Sequence, residues 1–330
     1  MTNDETQMTK HETEMRPWDF VISSSFEFRH SSFFLLLAAG LFALSGASCP
    51  HTLQHYTNPL PRVLPPSPTL EQVIDVVNRN SSQIRSFSTN HAAVSGTGFP
   101  SLGASVAFER AKRFRLQAGT GVTGTEFDLG SNDELFWFWL RRSQPPALYY
   151  CRHDQFPSSP ASQTTPFEPG WLIDALGVME FDPALPHQGP IALPNDRLRI
   201  DTIRNTPQGP EATVTIIDGS QGWVLEQHKF DANKRLIARS IASDHRRDPL
   251  TGLVMPKVVS ITCPPAQLDM RIDLGNVEIN RLAADPAALW SMPNYPGSPL
   301  VNLADPNSMP PAASSARRPM PQNTWQRPGR

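Results

Sequence analysis

The chain has 330 residues, a net charge of -2, 39% hydrophobic residues and 18% charged residues. A near-neutral balance argues against a nucleic-acid partner, because phosphate binding needs an excess of Lys and Arg on one surface. The 34 prolines are uneven, with six between Pro50 and Pro68 and nine between Pro293 and Pro328. Both ends therefore read as extended, weakly ordered segments around one domain of ordinary size.

In chain order, the first feature is the run Phe33 to Leu44, followed by Gly46, Ala47, Ser48 and Cys49. About a dozen apolar residues are too few to cross a bilayer but suit a signal-peptide h-region. The run into Cys49 resembles the lipobox of bacterial lipoproteins, although Gly46 stands where that motif usually has Leu. The resemblance implies that the Cys49 thiol is diacylated, with palmitate-type chains, and becomes the mature N-terminus. Asp4, Glu5, Glu12 and Glu14 are out of place ahead of an h-region, and a start at Met15 would remove them. The expected organisation is a signal peptide with an N-terminal extension over 1–48 and a Pro-rich tether over 49–68. A folded domain over 69–303 and a Pro-rich tail over 304–330 complete it.

A helix is predicted from Thr69, which is placed as an N-cap with Gln72 completing a capping box. Leu70, Val73, Ile74, Val77 and Ile84 recur on one face at helical spacing. From Gly103 the period changes to two, and half-buried strands are predicted over the Val106 and Phe114 stretches. More strands are predicted over 122–129, 135–142, 147–152, 197–204, 211–218, 222–230, 235–243, 254–263 and 267–280. Turn chemistry separates them, as in Gly130-Ser131-Asn132-Asp133, Asp218-Gly219-Ser220 and Asp231-Ala232-Asn233-Lys234. Such short links imply an antiparallel meander. A short helix with a glycine stop is predicted around Trp171, Leu172, Ala175, Leu176 and Gly177. The fold class is α+β, with a strongly curved antiparallel sheet or unclosed β-barrel over helices. The Lys112-Arg113-x-Arg115 cluster and the pairs Arg141-Arg142 and Arg246-Arg247 read as solvated strand faces and loops. Cys151 and Cys263 allow either a disulfide or two buried thiols.

The order of elements resembles the LolA/LolB lipoprotein-localisation family. The stretches that carry the likeness are TLEQVIDVVNRNSSQIRSFS, VAFERAKRFRLQA, TGTEFDLGSNDELFWFWLRR, PGWLIDALG, GWVLEQHKFDANKRLIARSIASDHRRDP and LVMPKVVSITCPP. That family has an unclosed barrel with a helical lid over an apolar cavity that holds an acyl chain. Cys49 brings this chain closer to the anchored, LolB-like receptor than to the soluble carrier. The resemblance implies a non-catalytic envelope lipoprotein without cofactor, facing the periplasm. Its ligand would be a lipid or a lipoprotein acyl chain. Pro50 comes after Cys49, where Asp would signal inner-membrane retention, so the outer membrane is favoured. The alternative is a structural or assembly component that docks an envelope protein on the same fold.

The candidate cavity residues are Phe136, Trp137, Phe138 and Trp139 on an apolar two-faced strand, with Trp171, Leu172 and Leu176 as lid lining. Such a strand has protein on both sides, or protein on one and ligand on the other. Gly119-x-Gly121-x-x-Gly124 spells a dinucleotide fingerprint, but its continuation from Thr125 to Gly130 alternates like a strand, so a hairpin is expected. His51 and His55 lie in the tether without a third ligand, and no metal site is expected. G-x-S-x-G, H-E-x-x-H and C-x-x-C are absent from the sequence, and no catalytic residue is assigned.

Overall fold

A computed structural model describes residues 60–143, 146–163, 169–282 and 286–307. The signal segment, Cys49, His51, His55 and the tail beyond 307 lie outside the described residues. Helix α1 (Leu70–Gln83) has the full capping box: Gln72 N donates to the Thr69 hydroxyl, and the Gln72 side chain accepts from Thr69 N. Six strands come after it: β1 (Ser86–Gly96), β2 (Phe99–Glu109), β3 (Arg113–Thr120), β4 (Gly124–Ser131), β5 (Leu135–Leu140) and β6 (Leu148–Arg152). Two 3-10 turns, Phe156–Ser158 and Pro160–Gln163, precede helix α2 (Pro169–Ile173), which runs into a π turn at Asp174–Val178. Seven strands come next: β7 (His187–Leu193), β8 (Arg197–Thr206), β9 (Gly209–Asp218), β10 (Val224–Phe230), β11 (Leu236–Arg247), β12 (Val254–Cys263) and β13 (Leu268–Asp273). The short β14 (Glu278–Ile279), helix α3 (Pro286–Leu289) and β15 (Leu300–Asn302) complete the described chain.

All strands form one sheet, in the order β15-β6-β5-β4-β3-β2-β1-β13-β12-β11-β10-β9-β8-β7, with β14 beside β1. Two antiparallel meanders are thus joined where β1 pairs with β13. The sheet does not close on itself, and its end strands are β7 and β15. β7 carries Pro190 and a register shift between Gln188 and Ile191, while β15 is three residues long and runs parallel to β6. The glycine fingerprint is a hairpin, because β3 ends at Thr120 and β4 begins at Gly124.

Period two decides what each strand buries. On β3, Phe114, Leu116 and Ala118 enter a core with Val106, Phe108, Ile261 and Ile272, and it is covered by Trp171 and Leu172 of α2 and Leu176 of the π turn. The lid helix stops at Gly177, where φ is +100° and a side chain would collide with Pro256. Further along the same inner face, Val73 and Val77 of α1 pack on Leu198, Ile200 and Ile217. Two asparagines fasten α1 beyond this apolar contact. The Asn78 amide exchanges hydrogen bonds with the backbone of Phe181, and Asn80 does the same with Val254. Arg110 donates to the carbonyls of Ser81 and Ile84, closing the C-terminal end of the helix.

Two readings of the ends are corrected. The last part of the tether is docked: Leu64 is 2% exposed, Val63 and Leu64 donate to Ser220 O, and Arg62 pairs with Asp196 at 2.6 Å. The first part of the proline-rich C-terminal stretch, 286–303, is a packed strap. Proline removes a backbone donor but not the ability to lie against a surface, and Trp290 and Leu303 anchor the strap as buried residues.

Candidate functional site

The aromatic strand β5 has protein on both faces. Phe136 and Phe138 point to the inner side and pack with Cys151, Phe156, Ala161, Tyr149 and Leu303. Trp137 and Trp139 point outward and pack with Leu148, Tyr150, Met292 and Tyr295. Trp139 stacks on Tyr295 at 3.8 Å, and its indole N–H donates to Ser298 Oγ at 2.9 Å. The strap therefore occupies the face that the sequence pattern leaves open to a ligand. Trp171, Leu172 and Leu176 belong to the lid segment and are packed into the core. None of the seven candidate residues lines the cavities of 290, 410 or 1020 Å³.

Beneath the strap lies a polar centre that the sequence pattern assigns to solvent. Arg115, 7% exposed, pairs with the fully buried Asp128 at 2.6 Å. Gln117 and the Tyr295 hydroxyl donate to the same carboxylate oxygen, and Arg115 also donates to the carbonyls of Leu289 and Ser291. Burial, and after it the hydrogen bond to Asp128, raises the Tyr295 phenol well above its ordinary value. Arg141, Arg142, Arg246 and Arg247 are exposed, as expected. Cys151 and Cys263 are free thiols in separate apolar clusters, so a disulfide between them gives way to two buried thiols. Burial pushes the Cys263 thiol up to about 11.

The inner face is not apolar throughout. One cross-strand row runs Ile200, Thr215, Gln227, Ser240, Ile261 and Met270. Its three polar members are buried, and Gln227 donates to Asp174 O under the lid at 3.1 Å. Towards one end of the strands the same face becomes charged, with Arg204, Glu211 and Lys229, where Lys229 pairs with Glu211 at 3.0 Å. No residue type in isolation signals this; only register between neighbouring strands does.

That charged end opens into the 1020 Å³ cleft, between the 3-10 turns and the tips of the β8–β9 and β10–β11 hairpins. Phe156, Pro157, Leu236, Ile237, Pro264 and Pro265 supply its apolar surface. Gln208 crosses it, donating to Pro157 O at 2.5 Å and to Ser162 Oγ at 3.3 Å. A smaller cleft, 290 Å³, opens at the opposite end of β10, β11 and β12, between α1 and the β9–β10 and β11–β12 connections. Here Trp223 stacks on His245 at 5.1 Å, and His245 Nε2 donates to Val224 O at 3.0 Å.

Burial lowers the His245 pKa, against smaller raising effects from the Val224 bond, Asp218 and Asp244. The unfolded chain then takes up this proton first, so the contribution to stability is full above about 6.5 and is lost as pH falls below it. The melting temperature is expected to fall from pH 7 to pH 5 by more in the native chain than in His245→Gln. Equal slopes in the two proteins would refute this role.

Ser131 Oγ is 3.3 Å from His153 Nε2, but that nitrogen is 2.9 Å from the carbonyl of Asn132 and must carry its proton there. It cannot also accept from the serine. Among the described residues, no three His, Cys, Asp or Glu side chains converge as a metal would need.

No family model matches the chain. No curated protein matches it either. Among solved structures, the chain is similar to a domain described as an outer membrane lipoprotein-sorting protein from Vibrio parahaemolyticus. That match has 8% identity and a TM-score of 0.45, covering 67% of this chain and 99% of the other. It is similar also to a DUF1329 family protein from Desulfovibrio piger, with 12% identity, a TM-score of 0.43 and 66% and 98% covered. A LolA superfamily protein from Nitrosomonas europaea aligns with 10% identity, a TM-score of 0.44 and 68% and 99% covered.

Proposed function

We propose that the protein is a non-catalytic envelope lipoprotein, anchored through acylated Cys49 and facing the periplasm, whose half-barrel binds a lipid or a lipoprotein acyl chain. The observation that carries this reading is the 1020 Å³ cleft at one end of the barrel strands. It is at the upper end of the range for ligand sites, and it combines an apolar wall with charged groups at its mouth. Apolar area withdrawn from water there stabilises a bound chain by about 25 cal/mol per Å². The sequence around Cys49 supplies the anchor, and Pro50 favours the outer membrane. Lipoprotein handover would then be the biological use.

Cys49→Ser is expected to move the protein from the membrane to the soluble fraction; unchanged partition would sink the anchor. The same full-length variant, purified from a lipid-containing host, is expected to carry stoichiometric lipid in native mass spectrometry. A clean mass, with no uptake of added lipopeptide, would overturn the carrier reading. One observation favours the alternative of a docking platform for an envelope protein: the inner face beneath α1 and α2 is filled by the protein's own side chains.

A further inference from the structure

The smaller cleft has a chemistry of its own. None of its lining residues is a carboxylate, and its titratable groups are Arg79, Arg247 and His245. Most described arginines are held in ion pairs, but neither Arg79 nor Arg247 has a carboxylate within bridging distance among the described residues. Arg247 is oriented by donating to Gly252 O at 2.6 Å. The carboxylates on the two hairpins beside the cleft are engaged elsewhere. Asp218 accepts from Ser220 and Gln221, Asp244 pairs with Arg246, and Asp248 accepts from Thr251. Val76, Val77, Leu253 and Pro256 with the Trp223 ring supply the cleft's apolar surface, alongside the uncharged polar Asn80, Ser81, Gln83, Gln221 and Thr251.

The shape of this cleft is held by backbone that only glycine accepts readily. Gly222, at φ +74°, brings the β9–β10 turn so close to α1 that a Cβ would press on Val76. Gly177 does the same for the end of the lid against Pro256. The opening is thus built into the junction of helix, lid and sheet.

We infer that this cleft binds an amphiphilic anion, whose carboxylate or phosphate head is held by Arg79 and Arg247 and whose apolar part lies along α1 and Trp223. Guanidinium groups suit such heads because their forked donors match two oxygens at once. The volume of 290 Å³ suits a short chain or the first part of a longer one. This site lies at the other end of the strands from the acyl-chain cleft, and the inference does not rest on that reading.

The test uses the full chain carrying Cys49→Ser, delipidated, in isothermal titration with decanoate, decanol and inorganic phosphate. Decanoate is expected to bind at least about tenfold more tightly than either partial probe, because it alone has both head and chain. Arg79→Gln and Arg247→Gln are each expected to weaken decanoate about tenfold or more. Rising salt should weaken decanoate binding in the native protein more than in either variant. Arg79 is exposed on a helix, so its variant keeps the fold and the test.

Decanol binding as tightly as decanoate would overturn the proposal, as would phosphate doing so, which would mark a plain oxyanion site. Unchanged decanoate affinity in both variants would overturn it as well. A chain that carries lipid after purification but shows no Arg79-dependent decanoate binding fails this inference alone. One that binds decanoate through Arg79 but purifies clean of lipid and takes up no lipopeptide fails the acyl-chain reading alone.

Discussion

Asp128→Ala is expected to destabilise the domain by about 3–5 kcal/mol, the cost of leaving a buried charge without its partner. The carboxylate is fully buried, and one of its oxygens accepts from Arg115, Gln117 and Tyr295 together. Removing it strands the buried Arg115 guanidinium beneath the strap. For a domain of this size each kcal/mol moves the melting temperature by about 2–4 °C, so a fall of roughly 6–20 °C is expected. The double variant Arg115→Met with Asp128→Leu should recover much of the loss, because it removes both charges and leaves apolar volume. Urea denaturation of the three proteins decides this. A single variant that loses less than about 1 kcal/mol would mean that the strap is not held by this pair. The rate of proteolysis within 286–303 gives an independent reading, since a released strap exposes its backbone.

Trp137→Ala is expected to cost about 3–5 kcal/mol as well, from lost burial and the cavity left behind. The indole is fully buried, it lies over Gly130, and the Arg115 guanidinium sits 5.2 Å from its ring. Lipid uptake per folded molecule should not change, because the ring faces the strap and not either cleft. Denaturant melts measure the first effect, and native mass spectrometry at a temperature where the variant is folded measures the second. Selective loss of lipid with stability intact would restore Trp137 as a cavity residue. Trp137 and Asp128 share Arg115, so their effects are not expected to add.

Much of this fold is legible in the sequence because local chemistry and tertiary packing agree there. The capping box at Thr69 and the period-two strands from Val106 onward are the elements expected of them. Other elements are hidden where that agreement fails. β1 carries Asn90 and His91 at a register shift between Thr89 and Ala92, which breaks the alternation that would mark it. β7 contains Gly189-Pro190, and β15 is too short to show any period. Gly130 has the character of a turn residue but lies within β4, where the absence of a side chain lets the Trp137 ring settle against the strand. The strap is masked by its prolines, although Trp290, Met292, Tyr295 and Leu303 among them are a signal of anchoring. The two clefts cannot be read from sequence at all. Their walls join residues from α1, distant hairpins and the 3-10 turns, and no local pattern encodes which of these meet.

The way the sheet ends bears on what can join it. A long exposed edge would offer a ladder of unpaired amides and carbonyls to any extended chain, including another copy or an unfolded cargo. One outer strand here is interrupted by a shift and a proline, and the other is cut to three residues, too little backbone to align a newcomer. A sheet of this width is therefore a poor seed for cross-β growth. Recruitment at its rims has to be written in side chains, where single substitutions can tune it.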